Sequence, residues 1–130
     1  MIFLDTSAVY ALADRDDARH AEAVERAKRL SEQGETLFTQ SYVLVESLAL
    51  LQRRLGAAAA SAFATDARTF TVVWVDKPLH EEAVRRIGRS GRRVSFVDEV
   101  SFLVMRRHGV HDAFAFDPDF EAEGFRLIGG

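Results

Sequence analysis

Short apolar runs alternate with longer amphipathic stretches along the whole chain, and this alternation constrains the fold more than any other feature. Ile2-Phe3-Leu4, Thr36-Leu37-Phe38-Thr39, Thr69 to Val75, Ala113-Phe114-Ala115-Phe116 and Phe125 to Ile128 have the length and the branched or aromatic content of strands. Helical stretches separate them. Thr6 to Leu12 is short; Ala18 to Gln33 carries Ala21, Val24, Ala27 and Leu30 in one stripe and stops at Gly34. Ser41 to Arg54 is strongly apolar and closes at Gly56, and a further helix spans Ala57 to Arg68. Pro78 sits in the first turn of a helix running towards Arg89 before Ser90-Gly91, and Ser95-Phe96-Val97-Asp98 introduces another that ends at Arg106-Arg107-His108-Gly109. Strands joined through helices need right-handed crossovers. The expected fold class is therefore α/β, a three-layer α/β/α sandwich around a mainly parallel sheet. A single domain over residues 1–130 is expected, because no linker or repeat divides the chain.

Composition removes several classes. With 48% hydrophobic residues the chain can build a core, which a disordered chain cannot. A net charge of −3 gives no overall field attracting polyanions, so a nucleic acid would need a local basic patch. The absence of cysteine excludes a disulfide scaffold, a thiolate zinc site and a cysteine nucleophile together. The opening Met1 to Asp5 turns polar too soon for a signal peptide, and no apolar run approaches the ~18–20 residues of a membrane span. A cytoplasmic protein with no membrane segment is expected.

The acids are the informative polar residues. Ligands of an open parallel sheet sit beyond the carboxyl ends of the strands. Asp5 follows the first apolar run there, Asp117 follows Ala113 to Phe116, and Asp98 falls in the first turn of a helix. Three carboxylates at one edge raise one another's pKa unless a cation joins them, and an oxygen-only donor set favours Mg²⁺ or Mn²⁺ over zinc. Glu46 is the only charged residue between Ser41 and Leu51. Leu44, Leu48, Leu51 and Leu55 form one stripe, with Val43 and Leu50 on the Glu46 side, so Glu46 is expected to be covered. A covered carboxylate needs an arginine or a metal as partner, and Glu46→Ala is expected to weaken metal binding while raising stability.

Each acid also has a purely structural reading. Asp5 fits an N-cap, Asp98 stands three residues after Ser95 as in a capping box, and Asp117 precedes Pro118 as an N-cap would. Glu46 can pair with Arg53 or Arg54 on its own helix. The joint pattern of all four favours a site, and a capping acid still presents its outer oxygen.

Four segments carry a resemblance: Ile2-Phe3-Leu4-Asp5-Thr6-Ser7, Glu46 in the third helix, Ser95-Phe96-Val97-Asp98, and Ala113-Phe114-Ala115-Phe116-Asp117-Pro118-Asp119-Phe120. In this order, nearly end to end, the chain resembles PIN-domain proteins, and within them the VapC-type toxin ribonucleases. The resemblance implies a metal-dependent endoribonuclease, the toxin of a type II toxin–antitoxin pair, with Mg²⁺ or Mn²⁺ as cofactor. By position Asp5, Glu46, Asp98 and Asp117 match the family's catalytic and metal-binding acids. Thr6 or Ser7 matches a hydroxyl beside the first acid, Ser95 a polar residue near the third, and Asp119 has a supporting role at most. The resemblance also implies a homodimer, an antitoxin partner and an RNA substrate. The alternative is a catalytically inactive PIN-like module that binds RNA or protein.

Arg85, Arg86, Arg89, Arg92 and Arg93 place five guanidiniums within nine residues as candidate RNA contacts. Their bland reading is a solvated helix face with i,i+4 pairs Glu81–Arg85 and Glu82–Arg86. Phe96, Phe102, Phe114, Phe116 and Phe120 fall on inward periods and are expected in the core, whereas His20, His80, His108 and His111 are expected on the surface. A phospho-acceptor receiver would need a late strand-ending lysine, and the lysines here are Lys28 and Lys77; an aspartyl-nucleophile phosphatase would need an acid where Ser7 stands.

Overall fold

The first strand, β1 (Ile2–Leu4), is buried along its whole length and ends where Asp5 caps helix α1 (Thr6–Ala13). The computed structural model describes residues 1–89 and 91–128. After α1 come α2 (His20–Glu32), β2 (Leu37–Gln40), α3 (Ser41–Leu55) and α4 (Ala57–Asp66). A 3₁₀ turn at Ala67–Thr69 leads into β3 (Thr71–Val73), followed by α5 (Lys77–Arg86) and α6 (Phe96–Arg107). Then come β4 (Asp112–Phe114), the single turn α7 (Asp119–Ala122) and β5 (Arg126–Ile128). Ser90, expected in the turn after α5, lies outside the described residues.

The sheet runs β3-β2-β1-β4-β5, and each of its neighbouring pairs is parallel. Alternation along β1 divides the core between the two faces. Phe3 packs with Phe38, Val100, Phe102 and Phe120 in a core completed by α5, α6 and α7, while Ile2 and Leu4 pack with Ala8, Val9, Leu51 and Phe114 on the side of α1 to α4. Covering both faces makes the α/β/α sandwich that the alternation of elements predicts. None of the described helices is long and apolar enough to cross a membrane.

Several boundaries differ from expectation for local reasons. The third strand starts at Thr71 because Ala67 to Thr69 take up a 3₁₀ turn, and α5 ends at Arg86 because Ile87 (φ −56°, ψ 125°) leaves the helical region and opens a turn. The fourth strand stops at Phe114, leaving Asp117 in the loop beyond it. Between α3 and α4, Gly56 has φ +98° and donates to the Gln52 and Leu51 carbonyls, a geometry that a side chain at this position would strain.

Polar side chains fasten the carboxyl edge of the sheet. The Thr39 hydroxyl donates to the Leu4 carbonyl at 2.8 Å. Gln40, fully buried, donates through Nε2 to Ser101 Oγ (3.1 Å) and the Val97 carbonyl (3.3 Å), while its Oε1 caps α3 through the Tyr42 N–H. Those bonds tie the ends of β1 and β2 to the first turns of α6, where Asp98 sits. The edge is therefore a rigid floor.

Candidate active site

Asp5 stands where β1 becomes α1, and Ser7 holds it with two hydrogen bonds. Its Oδ2 accepts from the Ser7 N–H at 3.1 Å and from the Ser7 hydroxyl at 2.6 Å. Ser7 Oγ also accepts from the Phe116 N–H at 2.9 Å, so one hydroxyl couples the first acid to the loop after β4. Thr6, also buried, shares a 3.1 Å hydroxyl–hydroxyl contact with Ser47 of α3. Burial pushes the Asp5 carboxyl up, the Ser7 bonds pull it down, and the charge of Asp117 pushes it up again.

Asp98 lies in the first turn of α6, with its N–H on the Ser95 hydroxyl at 3.1 Å. Its carboxyl is pushed up to about 8, first by burial, then by the charge of Asp5 and by a hydrogen bond with Asp117; the Ser95 hydroxyl acts in the opposite sense. Two carboxyls that hydrogen-bond must share a proton, unless a cation takes its place. Asp117 meanwhile accepts from the Asp119 N–H at 2.9 Å, and carboxylate oxygens of Asp98, Asp117 and Asp119 all lie within 4.8 Å of one another. The fold thus brings together Asp5, Asp98, Asp117 and Asp119 from three separate stretches of chain.

Asp119 has a larger share in this geometry than the sequence suggests. Arg92, in the loop before α6, reaches it at 3.2 Å and also pairs with Glu123, which in turn pairs with Arg106 at 2.6 Å. Glu99, which follows Asp98 directly, is buried and 3.8 Å from Arg86. Burial pushes its carboxyl up, and Arg86 opposes the shift. The double acid Asp98-Glu99 at a helix start was the one available sign of this, whereas nothing in the spacing of Arg92 announces its partners.

Glu46 departs from expectation. It is exposed, on the rim of a cleft of about 360 Å³ shared with Thr6, Ala49, Leu50 and Arg53. The buried stripe of α3 is Val43, Ser47 and Leu51, while Leu44 and Leu48 are half-buried and Leu55 is exposed. Glu46 borders that stripe on the Thr6 side, and neighbouring Val45 is 61% exposed, so apolar neighbours along this helix do not mean cover. The expected gain in stability on removing a covered charge is withdrawn. Glu46→Gln is instead expected to keep metal-free stability within about 0.5 kcal/mol of the parent in thermal melts; a loss above about 1.5 kcal/mol would reveal a covered ion pair.

The arginines divide into two groups. Arg86 and Arg92 are engaged with acids, whereas Arg85, Arg89 and Arg93 are exposed and form no ion pair with a described residue. The helix-face pairs considered above do not form, because Glu81 approaches Lys77 (3.8 Å) and Glu82 pairs with Arg107. Phe102, Phe114 and Phe120 are fully buried as expected, and Phe96 and Phe116 are half-buried. His108 and His111 are exposed as expected, but His20 and His80 are half-buried and hydrogen-bonded, to the Ala11 carbonyl and the Tyr42 hydroxyl.

The donor set suits a hard divalent cation. It consists of carboxylate oxygens without Cys or His, gathered so closely that burial, together with their mutual repulsion, pushes the Asp98 carboxyl up to about 8. Comparison with known proteins agrees with the fold. The PIN domain family model matches residues 2–125. The 23S rRNA-specific endonuclease VapC20 of Mycobacterium tuberculosis is 45% identical over 130 residues, covering 96% of this chain and 95% of that protein. The crystal structure of Mycobacterium tuberculosis VapC20, described as a sarcin-ricin loop cleaving toxin, superposes with a TM-score of 0.84 at 41% identity, covering 96% of each chain. VapBC2 from Rickettsia felis, bound to a DNA fragment from its promoter, shares the fold at a TM-score of 0.72 and 12% identity, covering 98% of each chain.

Proposed function

Because the chain belongs to the PIN domain family, we propose that it is a metal-dependent endoribonuclease whose substrate is 23S rRNA, cut at the sarcin-ricin loop, and that it is the toxin of a toxin–antitoxin pair. The observation that carries this reading is the convergence of Asp5, Asp98, Asp117 and Asp119 at one end of the sheet, with carboxyls that repel one another. The substrate and the toxin role rest on the likeness to VapC20.

In this reading Asp5, Asp98 and Asp117 hold Mg²⁺ or Mn²⁺, with Glu46 on the rim beside Thr6. A bound divalent cation supplies Lewis acidity towards the phosphate and makes water a better nucleophile near neutral pH. The residues around it prepare that chemistry. Ser7 fixes the orientation of Asp5 through two hydrogen bonds, and Ser95 sets the first turn of α6 so that Asp98 faces Asp117. Arg92 compensates the charge of Asp119 and leaves its neighbours for the cation. A carboxylate oxygen not engaged by metal can take the proton that water loses on attack.

Arg85, Arg89 and Arg93 are proposed to neutralise substrate phosphates, which the net charge of −3 cannot do globally. The double variant Arg89→Ala/Arg93→Ala is expected to flatten the salt dependence of RNA binding, with the slope of log K against log salt falling by about 0.7 for each lost contact to single-stranded RNA. Fluorescence anisotropy at several salt concentrations measures it, and an unchanged slope would remove both residues from the interface. The toxin role implies a neutralising antitoxin and action in the cytoplasm, where ribosomes are. Exposed Val84 on α5 and Ile87 just beyond its end leave apolar surface for the homodimer included in the reading.

The direct test incubates the purified chain with ribosomes and with isolated 23S rRNA, in Mg²⁺ or in EDTA, and maps the new RNA ends. Cleavage in Mg²⁺ that stops in EDTA is the expected result. Intact RNA in both, with binding preserved, would favour the inactive RNA-binding module.

A further inference from the structure

We infer that Trp74 forms a stacking platform for unpaired bases of the RNA leading to the acid pocket, an inference that rests on the ribonuclease reading above. Trp74 is the only tryptophan of the chain and is 71% exposed, more than any other large hydrophobic side chain described. So large an aromatic surface left in water invites a partner.

Its place in the fold narrows the choice of partner. Trp74 directly follows β3 and so lies at the carboxyl edge of the sheet, the edge that holds Asp5 and Asp117. The β3 strand is two positions from β1, about 10 Å at ordinary strand spacing. The backbone at this point is anchored: the Val75 N–H donates to Ser41 Oγ at 2.9 Å, and Asp76 caps α5 through the Leu79 N–H at 3.0 Å. An aromatic on a fixed backbone loses little freedom when it binds.

The residues on either side do not share this exposure: Val73 and Val75 pack into the core with Tyr42 and Phe96, while Trp74 between them stays in solvent.

Unpaired bases stack on such rings whatever their sequence, because every base has a π-face. Charged Asp76 and Lys77 follow Trp74, and Arg85 and Arg89 lie exposed further along the same segment. A single exposed aromatic among polar and basic groups fits a base joined to its neighbours by phosphates better than it fits the continuous apolar cover of a protein contact.

The sole tryptophan makes the test specific. Short single-stranded RNA carrying a dye is titrated into the full chain in EDTA, with dye anisotropy reporting binding and tryptophan emission reporting stacking. Emission is expected to fall in step with binding, and duplex RNA is expected to leave it unchanged. Trp74→Ala is expected to weaken binding about 5- to 150-fold, the effect of losing one base–aromatic stack, while Trp74→Phe retains most of the affinity. In Mg²⁺ the alanine variant is expected to show a raised KM at unchanged kcat.

Flat emission during RNA binding, or equal affinity of Trp74→Ala, would overturn the inference. So would emission that changes with protein concentration alone, which would assign Trp74 to a contact between two copies. Quenching by the probe while 23S rRNA is never cut in Mg²⁺ removes the ribonuclease reading and leaves the platform standing. Normal cutting of 23S rRNA with flat emission does the reverse, and a chain that cuts 23S rRNA but binds no single-stranded RNA overturns the platform alone.

Discussion

Asp98→Asn is expected to lower the rate of RNA cleavage by at least about 10³-fold while the fold persists. The loss follows from removing one anionic ligand of a cation worth several kcal/mol to the transition state, at a factor of ten for each ~1.4 kcal/mol. Persistence of the fold follows from the contacts. The cap bond to Ser95 comes from the backbone N–H of residue 98, which the substitution keeps. The new side-chain amide can donate to Asp117 where the carboxyl now has to share a proton. Circular dichroism together with cleavage of 23S rRNA checks both halves, and activity within tenfold of the parent would exclude Asp98 from the reaction.

The second large effect concerns pH and metal. An acid whose pKa is higher in the folded protein than in the unfolded chain binds its proton more tightly when folded. Its contribution to stability is complete below the unfolded value of 3.8 and is lost as pH rises through the folded value of about 8. Asp5 is displaced in the same direction by burial, so its effect has the same sign. The metal-free protein is therefore expected to lose stability steadily from about pH 4 to about pH 8, by a few kcal/mol in all. Saturating Mg²⁺ or Mn²⁺ is expected to restore that loss at pH 8 and to do little at pH 4, where protons compete for the same oxygens. Thermal melts across this range, in EDTA and in metal, measure both. Asp98→Asn is expected to flatten the metal-free profile and to shrink the metal-induced shift. A profile in EDTA that is flat or rises from pH 4 to pH 8 would contradict the crowding of carboxylates.

The fold was legible because local and long-range signals agree. Ile2-Phe3-Leu4 reads as a strand buried on both faces, and it becomes the centre of the sheet with Phe3 facing one core and its neighbours the other. Boundaries were less legible where local conformations compete, as at the 3₁₀ turn before β3. In the site, Asp5 and Asp98 announce themselves because an acid at a strand end and one at a helix start converge in this topology. Glu46 misleads for a definite reason: α3 carries more apolar residues than it buries, and Val45 and Leu55 are exposed. The Arg92–Asp119, Arg92–Glu123 and Arg86–Glu99 pairs were not legible. They depend on how the loop before α6 crosses α7, and on how α5 lies against α6, which no local periodicity encodes.

Manganese scatters X-rays anomalously and takes the same oxygen ligands as magnesium, so crystals grown in Mn²⁺ test the acid pocket most directly. The prediction is a strong anomalous peak bounded by carboxylate oxygens of Asp5, Asp98 and Asp117, absent when the crystals are soaked in EDTA. A saturated crystal with no peak there, or with its manganese bound elsewhere, would contradict it.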